Sequence, residues 1–467
     1  MMNGLRRPWW VALAVAAVVM LAACSGSGSS TPVKSLQAAA SASTPPDEQA
    51  AGGPLVGNPD LISGEQSCVA AEANAPWYPT IAAFEVHDSN RTHLYDCAHF
   101  TGSMTASNQV FAYSSPQDYP TPYNIVDHGP NELFIYGHHI AKLDPATGDI
   151  LVQTTLPTGA SAPGDTAYNG YDAFPDGTII AKTVNREKGC TEQGFSAFLD
   201  CPHPSQVPPS VMVAINPKTL KVIAQITLPQ MIGGRITTTV YHGKDEIYLP
   251  GTSKLYRYTY HNGSFALDSS WGPVPYLKSG QTAGSAMAVL GNYVVTMTNG
   301  QPTSTPMSVV AVSQADAKQI ANLEPFASSG AKNSLIPSMV SVDPQNNRVY
   351  VMDAGAGKLA GVNLQNGKLS VAWTQDQTTL SFTTLIGPKS QRVLIGTNIQ
   401  VKTFQGLKHY TTEQVIWRNA QTGSELASSS QFPKMTQGIL VTPGYAGLQY
   451  FLTADGHIIA LQVTPKH

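Results

Sequence analysis

Seven polar residues each follow a run of β-forming residues in this 467-residue sequence. Their side chains can donate or accept hydrogen bonds, so a fold that brought them together could surround a bound ligand. The alternative is that Asn and Asp are simply favourable turn residues. The seven positions are His138, Asn185, Thr252, Asn299, Asp353, Asn398 and Asp455.

Four further side chains extend this candidate ligand face. Tyr171 and Asp172 are adjacent within one β-rich stretch, and Arg186 follows the second of the seven runs. Arg235 follows a Gly-Gly pair and begins another β-rich stretch, where an unpaired charge would be costly unless it faced a solvated channel. There it could bind a carboxylate or phosphate through two parallel hydrogen bonds. It could equally be a structural partner of Asp172.

His138 and Asp353 are the best candidate ligands for a divalent metal ion. His138 is followed by His139, but neighbouring residues of an extended strand point to opposite faces, so the pair cannot easily share one ion. The sequence contains neither the GxSxG nucleophile motif nor the phosphate-binding GxxxxGK motif. A divalent metal therefore stays an open alternative, and no motif indicates a catalytic residue. In an enzyme, Arg235 and Asp353 would be available for acid–base or metal chemistry.

The elements that must position these side chains are seven copies of a turn followed by β-forming residues. The first six copies each continue into a strand, a short Gly, Asn or Asp turn and another strand, which is the chemistry of hairpins. A period near ~50 residues with four strands per unit is typical of a β-propeller blade. The longest spacing holds an insertion over about 186–206. The copies begin at Glu132, Thr178, Glu246, Asn292, Arg348, Arg392 and Leu448.

We therefore predict an all-β fold, a seven-bladed β-propeller with four-stranded blades. The seventh copy has only three strands, and an open ring would leave strand edges that invite aggregation. Residues 109–113 would supply the missing outer strand, so that N-terminal and C-terminal strands close the ring. In such a ring the loops between second and third strands lie around one mouth of the central channel. A β-sandwich or a pair of smaller β domains is the alternative.

Two hairpins resemble the repeat of quinoprotein-type propellers, in which Asp-x-x-Thr-Gly-Lys precedes a docking tryptophan. They are LDPATGDILVQ at 143–153 and VNLQNGKLSVAW at 362–373, where Trp373 fills the tryptophan position. The resemblance covers about 120–463 and implies a propeller similar to uncharacterised exported propeller proteins. PQQ-dependent alcohol dehydrogenases carry adjacent cysteines beside the cofactor and have eight blades. This sequence has neither, so PQQ is not supported as a cofactor.

The N-terminal residues resemble the signal peptide and lipobox of bacterial lipoproteins. Two arginines precede an uncharged apolar run at 9–23, which is shorter than the ~20 residues that span a bilayer. The run ends in Leu-Ala-Ala-Cys, and in that family this cysteine, here Cys24, is acylated. We expect a signal peptide over 1–23, general secretion, and lipid attachment to the cell membrane facing the periplasm or the cell exterior. An ordinary signal peptide and the twin-arginine route are the alternatives.

Three segments follow the signal peptide. Residues 24–55 are rich in Ala, Ser, Thr, Pro and Gly, so we expect a lipidated flexible tether. Residues 56–106 are predicted to form a short N-terminal appendage packed on the ring, anchored by Trp77 and Tyr78. Residues 107–467 are predicted to form the propeller.

Four cysteines remain after Cys24, and an even number in an exported chain suggests two disulfides. Pairing of Cys68 with Cys97 and of Cys190 with Cys201 is the simplest of the three connectivities. The second disulfide would staple the insertion at 186–206, which could form a lid over the channel mouth. A surface loop stabilised only against proteolysis is the alternative.

The net charge limits the classes of partner that the chain can bind. The net charge of -3 provides no electrostatic attraction to nucleic acid. The first hypothesis is a non-enzymatic lipoprotein that binds an envelope protein or a small ligand at the channel face. The second is a propeller enzyme of the lactonase, lyase or oxidoreductase kind that acts on an extracytoplasmic small molecule. Fold alone cannot choose between them.

Overall fold

A computed structural model describes residues 91, 93–95, 103–114, 124–127, 133–136, 139–143, 150–162, 166–174, 176–189, 206–300, 305–327, 339–404, 407–433, 442–443, 448–452 and 457–466. The predicted signal peptide, the tether and most of the appendage lie outside these residues. So do five cysteines and two positions of the predicted ligand face: Cys24, Cys68, Cys97, Cys190, Cys201, His138 and Asp455.

Strands joined by turns make up the described residues, with one 3₁₀ helix at Lys389–Gln391, and this confirms the predicted all-β class. No helix within the described ranges is both long and apolar enough to cross a membrane. Two strands come first among the described residues, β1 (Leu94–Tyr95) and β2 (Ser103–Ser114). The remaining strands follow in groups that form seven sheets of the described chain.

Each of the first four sheets is built from consecutive strands. The first sheet contains β3 (Asn124–Asp127), β4 (Leu133–Tyr136), β5 (His139–Leu143) and β6 (Ile150–Thr155). The second contains β7 (Thr166–Ala173), β8 (Ile179–Asn185), β9 (Val211–Ile215) and β10 (Val222–Thr227). The third contains β11 (Thr237–Tyr241), β12 (Lys244–Pro250), β13 (Lys254–His261), β14 (Ser264–Leu267) and β15 (Val274–Pro275). The fourth contains β16 (Met287–Leu290), β17 (Tyr293–Met297), β18 (Val309–Ser313) and β19 (Ile320–Leu323).

The last three sheets repeat this order with additions at their edges. The fifth contains β20 (Ser341–Asp343), β21 (Arg348–Asp353), β22 (Lys358–Gln365) and β23 (Lys368–Asp376). The sixth contains β24 (Thr384–Ile386), β25 (Val393–Phe404), β26 (Leu407–Asn419), β27 (Glu425–Ser428) and β28 (Phe432–Pro433), and β1 pairs with β24. The seventh contains β29 (Thr442–Pro443), β30 (Leu448–Leu452) and β31 (His457–Lys466), and β2 pairs with β31.

The first strands of consecutive sheets lie side by side. β7 contacts β11, β11 contacts β16, β16 contacts β20, β20 contacts β24, and β24 contacts β29. Middle strands such as β8 and β9 are buried along their whole length, and β9 reads as a continuous apolar run. Fourth strands such as β10 alternate between exposed and half-buried residues. The first strands therefore form the inner layer and the fourth strands the outer layer.

β2, which lies near the start of the described residues, and β31, the last described strand, form one antiparallel pair. Residues 109–113, predicted to be the outer strand of the last repeat, lie in β2 beside the C-terminal strand. β2 begins at Ser103, and the described chain before it also contains β1. Part of the segment predicted to be an appendage is thus built into the sheets.

Two tryptophans fasten neighbouring sheets to each other. Trp373 of β23 donates its Nε1–H to the carbonyl oxygen of Ala420 in the sixth sheet, at 3.0 Å. Trp373 thus occupies the docking position that the sequence predicts. Trp271, which follows β14, donates in the same way to the carbonyl oxygen of Ser313 in the fourth sheet, at 2.9 Å. Sequence reasoning missed Trp271 because it lies farther beyond its hairpin turn than Trp373 does.

Candidate functional site

Residues 91 and 93–95, here called the inner segment, lie against the inner layer of first strands. β1 pairs in parallel with β24, with Leu94 opposite Leu385, and it also contacts β20. The backbone N–H of Leu385 donates to the carbonyl oxygen of His93 at 2.8 Å. β1 and β24 form the single parallel pair among the described strands. The inner segment therefore adds an extra strand on the inner side of the sixth sheet.

Arg91 is fully buried and is bound by acceptors from two other sheets. Its Nε donates to the carbonyl oxygen of Ile236, and its Nη2 donates to that of Tyr171 at 3.2 Å. Its Nε also lies 3.8 Å from Oδ2 of Asp172. The guanidinium thus joins the inner segment to β7 and to the residue before β11.

Asp172 is the carboxylate of this site, and it is also fully buried. Its Oδ2 accepts the backbone N–H of Thr238 at 3.0 Å, and its Oδ1 accepts that of Ala173 at 3.0 Å. Burial raises the pKa of Asp172 well above its ordinary value, while the Arg91 charge and these two hydrogen bonds act in the opposite direction. The position of the carboxylate is therefore set by the sheets as well as by Arg91.

His93 is the second anchor of the inner segment. Its Nδ1 lies 2.7 Å from the carbonyl oxygen of Thr383, so Nδ1 carries the proton and donates. Ser341 Oγ lies 3.2 Å from the same nitrogen, and the imidazole meets the Phe382 ring edge-on, with 5.7 Å between centroids. Arg91 and His93 have φ angles of +54° and +60°, a region that residues other than glycine seldom adopt.

Arg235 lies beside the inner segment, at the end of the inner layer where the first strands begin. Its Nη1 donates to Ser285 Oγ at 2.9 Å, and its guanidinium carbon lies 4.8 Å from the centroid of the Phe382 ring. Phe382 precedes β24 and Arg235 precedes β11, so this cation–π contact joins the third sheet to the sixth. The contact crosses the space between the first strands, and Phe382 also touches His93.

The sequence left open whether Arg235 binds a ligand or pairs with Asp172. In the structure the cation beside Asp172 is Arg91, which sequence reasoning did not single out. Tyr171 is fully buried, and its backbone oxygen accepts from Arg91. The signal that could have found Arg91 is Asp172 itself, since a carboxylate in an inner strand requires a cation and the chain has only 27 Lys and Arg.

Asn185 and Asp353 stand at the ends of second strands and are buried. Asn185 donates through Nδ2 to the carbonyl oxygens of Pro208 and Pro209, at 3.1 and 2.8 Å. Asp353 accepts the backbone N–H of Ala356 through Oδ1 at 3.0 Å. Both side chains thus hold the loops that follow them.

The remaining described candidates lie on the same side of their sheets. Asn299 exchanges backbone hydrogen bonds with Thr282 at 2.7 and 2.8 Å. Thr252 donates its hydroxyl to Gln230 Oε1. Arg186 is half-buried at the start of the predicted insertion. These positions share a face of the molecule, but their recorded contacts lead to different neighbours.

The sequence predicted that Asn398 lies in a loop, but it lies within β25. β25 continues past it to Phe404, and Asn398 pairs with Gln414 of β26. Its Oδ1 accepts the backbone N–H of Thr378 at 3.0 Å. The prediction was wrong because the alternation of apolar and polar residues continues beyond Asn398. The hairpin of β25 and β26 therefore projects beyond the level at which Asn398 stands.

Metal binding stays a prediction. Within the ranges that the structure describes, no three His, Cys, Asp or Glu residues are arranged to hold a metal ion. Of the two proposed ligands, His138 lies outside those ranges and Asp353 is bonded to the turn after β21.

Comparison with solved structures identifies the architecture. The chain is similar to the quinohemoprotein alcohol dehydrogenase from Comamonas testosteroni, with 10% identity, a TM-score of 0.51, and coverage of 91% of this chain and 85% of that one. It is also similar to BamB from Moraxella catarrhalis, with 11% identity and a TM-score of 0.42 over 78% of this chain and 99% of that one. A third similar structure is the β-propeller domain of Myceliophteria thermophila Cps50, with 9% identity and a TM-score of 0.46 over 77% and 100%.

No protein-family model matches the sequence, and no curated protein matches it with significant sequence similarity. Identities this low show the fold alone. The chain therefore has a β-propeller fold.

Proposed function

We propose that the chain is a membrane-anchored extracytoplasmic lipoprotein whose seven four-stranded blades form a closed ring that binds a partner protein or a small ligand at the channel face. The seven sheets, the contacts between successive first strands and the pairing of β2 with β31 support this ring. The lipobox-like sequence ending at Cys24 supports the anchor.

The position of the inner segment against the first strands is the observation that carries the proposal of surface binding. The inner segment fills part of the space between the first strands, and the contact of Arg235 with Phe382 crosses that space. While the inner segment occupies this space, a ligand binds at the rim of this face.

The alternative, a propeller enzyme, needs Arg235 and Asp353 to act on one substrate. Arg235 instead binds Ser285 beside the channel, and Asp353 binds the turn after β21. These contacts favour the binding protein over the enzyme.

The hairpin of β25 and β26 supplies the surface for a protein partner. It extends on the side where second strands lead into third strands, and β28 pairs with β26 at its base. Gln400 and Thr412 on this hairpin are exposed. A projecting hairpin can contact a protein surface that a flat rim would not reach.

Site-specific photocrosslinking tests the proposal in cells. A photoreactive residue at Gln400 should give a discrete protein adduct, because Gln400 lies on the proposed binding hairpin. The matched control is Lys218, which is also exposed but lies in the turn between β9 and β10, on the opposite face. Equal adducts from both positions, or none from Gln400, would contradict a partner site on this face.

Metabolic labelling tests the anchor separately. An alkyne-bearing fatty acid should label the wild-type chain and not Cys24→Ser. Labelling that survives this substitution would overturn lipid attachment at Cys24 while leaving the crosslinking result intact.

A further inference from the structure

We propose that the inner layer of first strands is a binding channel for a short, arginine-bearing peptide, and that the inner segment is the ligand that occupies it in cis. This inference goes beyond the rim site proposed above and rests, like that site, on the ring arrangement of the first strands. It assigns a ligand class to the central channel, which the proposed function leaves out.

The backbone of the inner segment binds as a peptide ligand would bind. Peptides that add a strand to a sheet edge use backbone hydrogen bonds for affinity and side-chain pockets for specificity. β1 adds to the inner edge of β24 in this way, through the bond from Leu385 to His93. Among the described sheets only the sixth has a strand inside its first strand, so β1 is an addition to the repeating unit.

The pocket around Arg91 fits a guanidinium group. Two of its nitrogens donate to the carbonyl oxygens of Ile236 and Tyr171, and the carboxylate of Asp172 lies 3.8 Å from Nε as the counter-charge. A guanidinium offers five N–H donors in a fixed plane, whereas an ammonium is a compact point charge. All three partner groups are remote in sequence from Arg91, and Asp172 is fixed by Thr238 and Ala173. The ring therefore builds this pocket without the help of the inner segment.

A second pocket receives the side chain two residues further on. The carbonyl oxygen of Thr383 accepts from His93, and the imidazole meets the Phe382 ring edge-on. Ser341 Oγ donates to the same carbonyl oxygen at 2.8 Å, which fixes the rim of the pocket. The spacing of the two pockets thus selects an arginine followed, two positions later, by a planar donor.

The backbone of the inner segment has a conformation that is unfavourable for an isolated peptide. Both anchor residues have positive φ, which persists only where surrounding contacts over-determine the structure. Those contacts come from the second, third, fifth and sixth sheets. Because the segment is covalently attached, its effective concentration is high, and a free peptide must compete with it.

Peptide binding to the full-length chain tests the inference. A fluorescent peptide of sequence Asn-Arg-Thr-His-Leu-Tyr, matching residues 90–95, is titrated against wild type and against the double variant R91A/H93A. We expect the double variant to bind at least about tenfold more tightly than wild type, since its own anchors are gone. Replacing the peptide arginine by citrulline should weaken binding by about tenfold or more, because the charge opposite Asp172 is lost.

The matched control is R392A, which also removes a fully buried arginine beside a carboxylate, Asp343, but between two sheets. It should bind the peptide no better than wild type does. Equal binding by R392A and the double variant would overturn the inference, as would a citrulline peptide that binds equally well. Failure of the peptide to bind a double variant with a native-like circular dichroism spectrum would overturn it too.

Chemical rescue of R91A keeps the inference testable if the double variant does not fold. Millimolar methylguanidinium should raise the melting temperature of R91A and not that of wild type or R392A. Methylammonium should have no such effect. Absence of any rise for R91A would refute a guanidinium pocket at Asp172. Crosslinking from Gln400 is independent of both results, so failure of the channel site and failure of the rim site can be told apart.

Discussion

Among the described residues, two arginine–carboxylate pairs have no exposed surface, and they have different structural roles. Arg392 lies between the fifth and sixth sheets, with its Nε 3.0 Å from Oδ2 of Asp343 and its Nη2 2.9 Å from Gln345 Oε1. In the channel, Arg91 Nε lies 3.8 Å from Oδ2 of Asp172. The first pair is a hydrogen-bonded joint between sheets, and the second holds an added segment more loosely. An arginine–carboxylate pair thus joins two sheets in one place and holds the inner segment in the other.

Removing the scaffold arginine should have the largest effect. Arg392→Ala leaves Asp343 buried beside an empty space, and breaking a buried ion pair costs about 3–5 kcal/mol. The free energy of unfolding, measured by urea titration, should fall by that amount. A loss below about 1 kcal/mol would mean that Asn346, which also donates to Asp343, is sufficient by itself.

A glycine in the same interface should give the next largest effect. Gly423 has φ of +77°, and an added Cβ would lie 2.6 Å from the ring of Trp373. Gly423→Ala should therefore cost about 2–3 kcal/mol, from backbone strain and overpacking together. Gly291→Ala separates the two causes, because Gly291 has φ of +56° and nothing within 4 Å of an added Cβ. Equal losses in the two variants would show that strain alone accounts for the effect.

Removing the channel arginine should cost less than removing Arg392, about 2 kcal/mol at pH 7, because Asp172 can take up a proton and keeps two backbone hydrogen bonds. Burial raises the pKa of Asp172, so the folded state binds the proton more tightly than the unfolded state does. Its contribution to stability is therefore greatest below the ordinary pKa of 3.8 and is lost as the pH rises through the raised value.

Arg91→Ala removes the charge that opposes this shift, so the gap in stability between wild type and variant should widen as the pH rises. Urea titrations at several pH values measure it. In R91A/D172N, which lacks the carboxyl at position 172, the part of the change in stability with pH that comes from that carboxyl should disappear. A gap that stays constant with pH would mean that Asp172 does not titrate in the variant, and the distinction between the two pairs would lose its basis.

The scaffold was more predictable from the sequence than the channel, for physical reasons. Hairpin turns and alternating apolar residues recur in each repeat, so the strands can be predicted from the local sequence. Trp373 was found because a Gly turn and a tryptophan stand at a fixed spacing. Asn398 was wrongly assigned to a loop because β25 continues past the point at which the second strands of other sheets end, and nothing in its local sequence marks that difference. The Gln-Gly pair at 405–406 was the better sequence signal for the end of the run, since β25 ends at Phe404.

The channel could not be predicted in the same way. Arg91 and His93 lie in a segment without periodicity, and their partners are 80 or more positions away along the chain. Only Asp172, an acid in an apolar inner strand, indicated that a cation had to come from elsewhere. Arg235 was the natural candidate because it begins a neighbouring strand. Pairing between such remote positions depends on the three-dimensional arrangement of the sheets, which local patterns do not encode.

A partly exposed pair extends the comparison at its weakest end. Arg257 donates from Nε and Nη2 to Asp268 Oδ2 at 3.0 and 2.6 Å, and 18% of the Asp268 side chain is exposed. Burial opposes ionisation of Asp268, but the Ser270 hydroxyl and Arg257 overcome it and lower its pKa to about 2. Because this pKa lies below the ordinary 3.8, the stabilisation is present above 3.8 and is lost as the pH falls towards 2.

Asp268→Asn should therefore cost about 1 kcal/mol at pH 7 and almost nothing near pH 2, as measured by urea titration at both pH values. Asp376→Asn is the control, because Asp376 pairs with Lys358 while its side chain is 86% exposed, and its loss should be close to zero at either pH. If Asp268→Asn and Asp376→Asn behaved alike, solvent would screen the Arg257 pair as it screens a surface pair. The losses of stability at the four pairs would then no longer rise with the burial of each pair. The longer distance between Arg91 and Asp172 would by itself have to explain why the channel pair contributes less than the Arg392 pair.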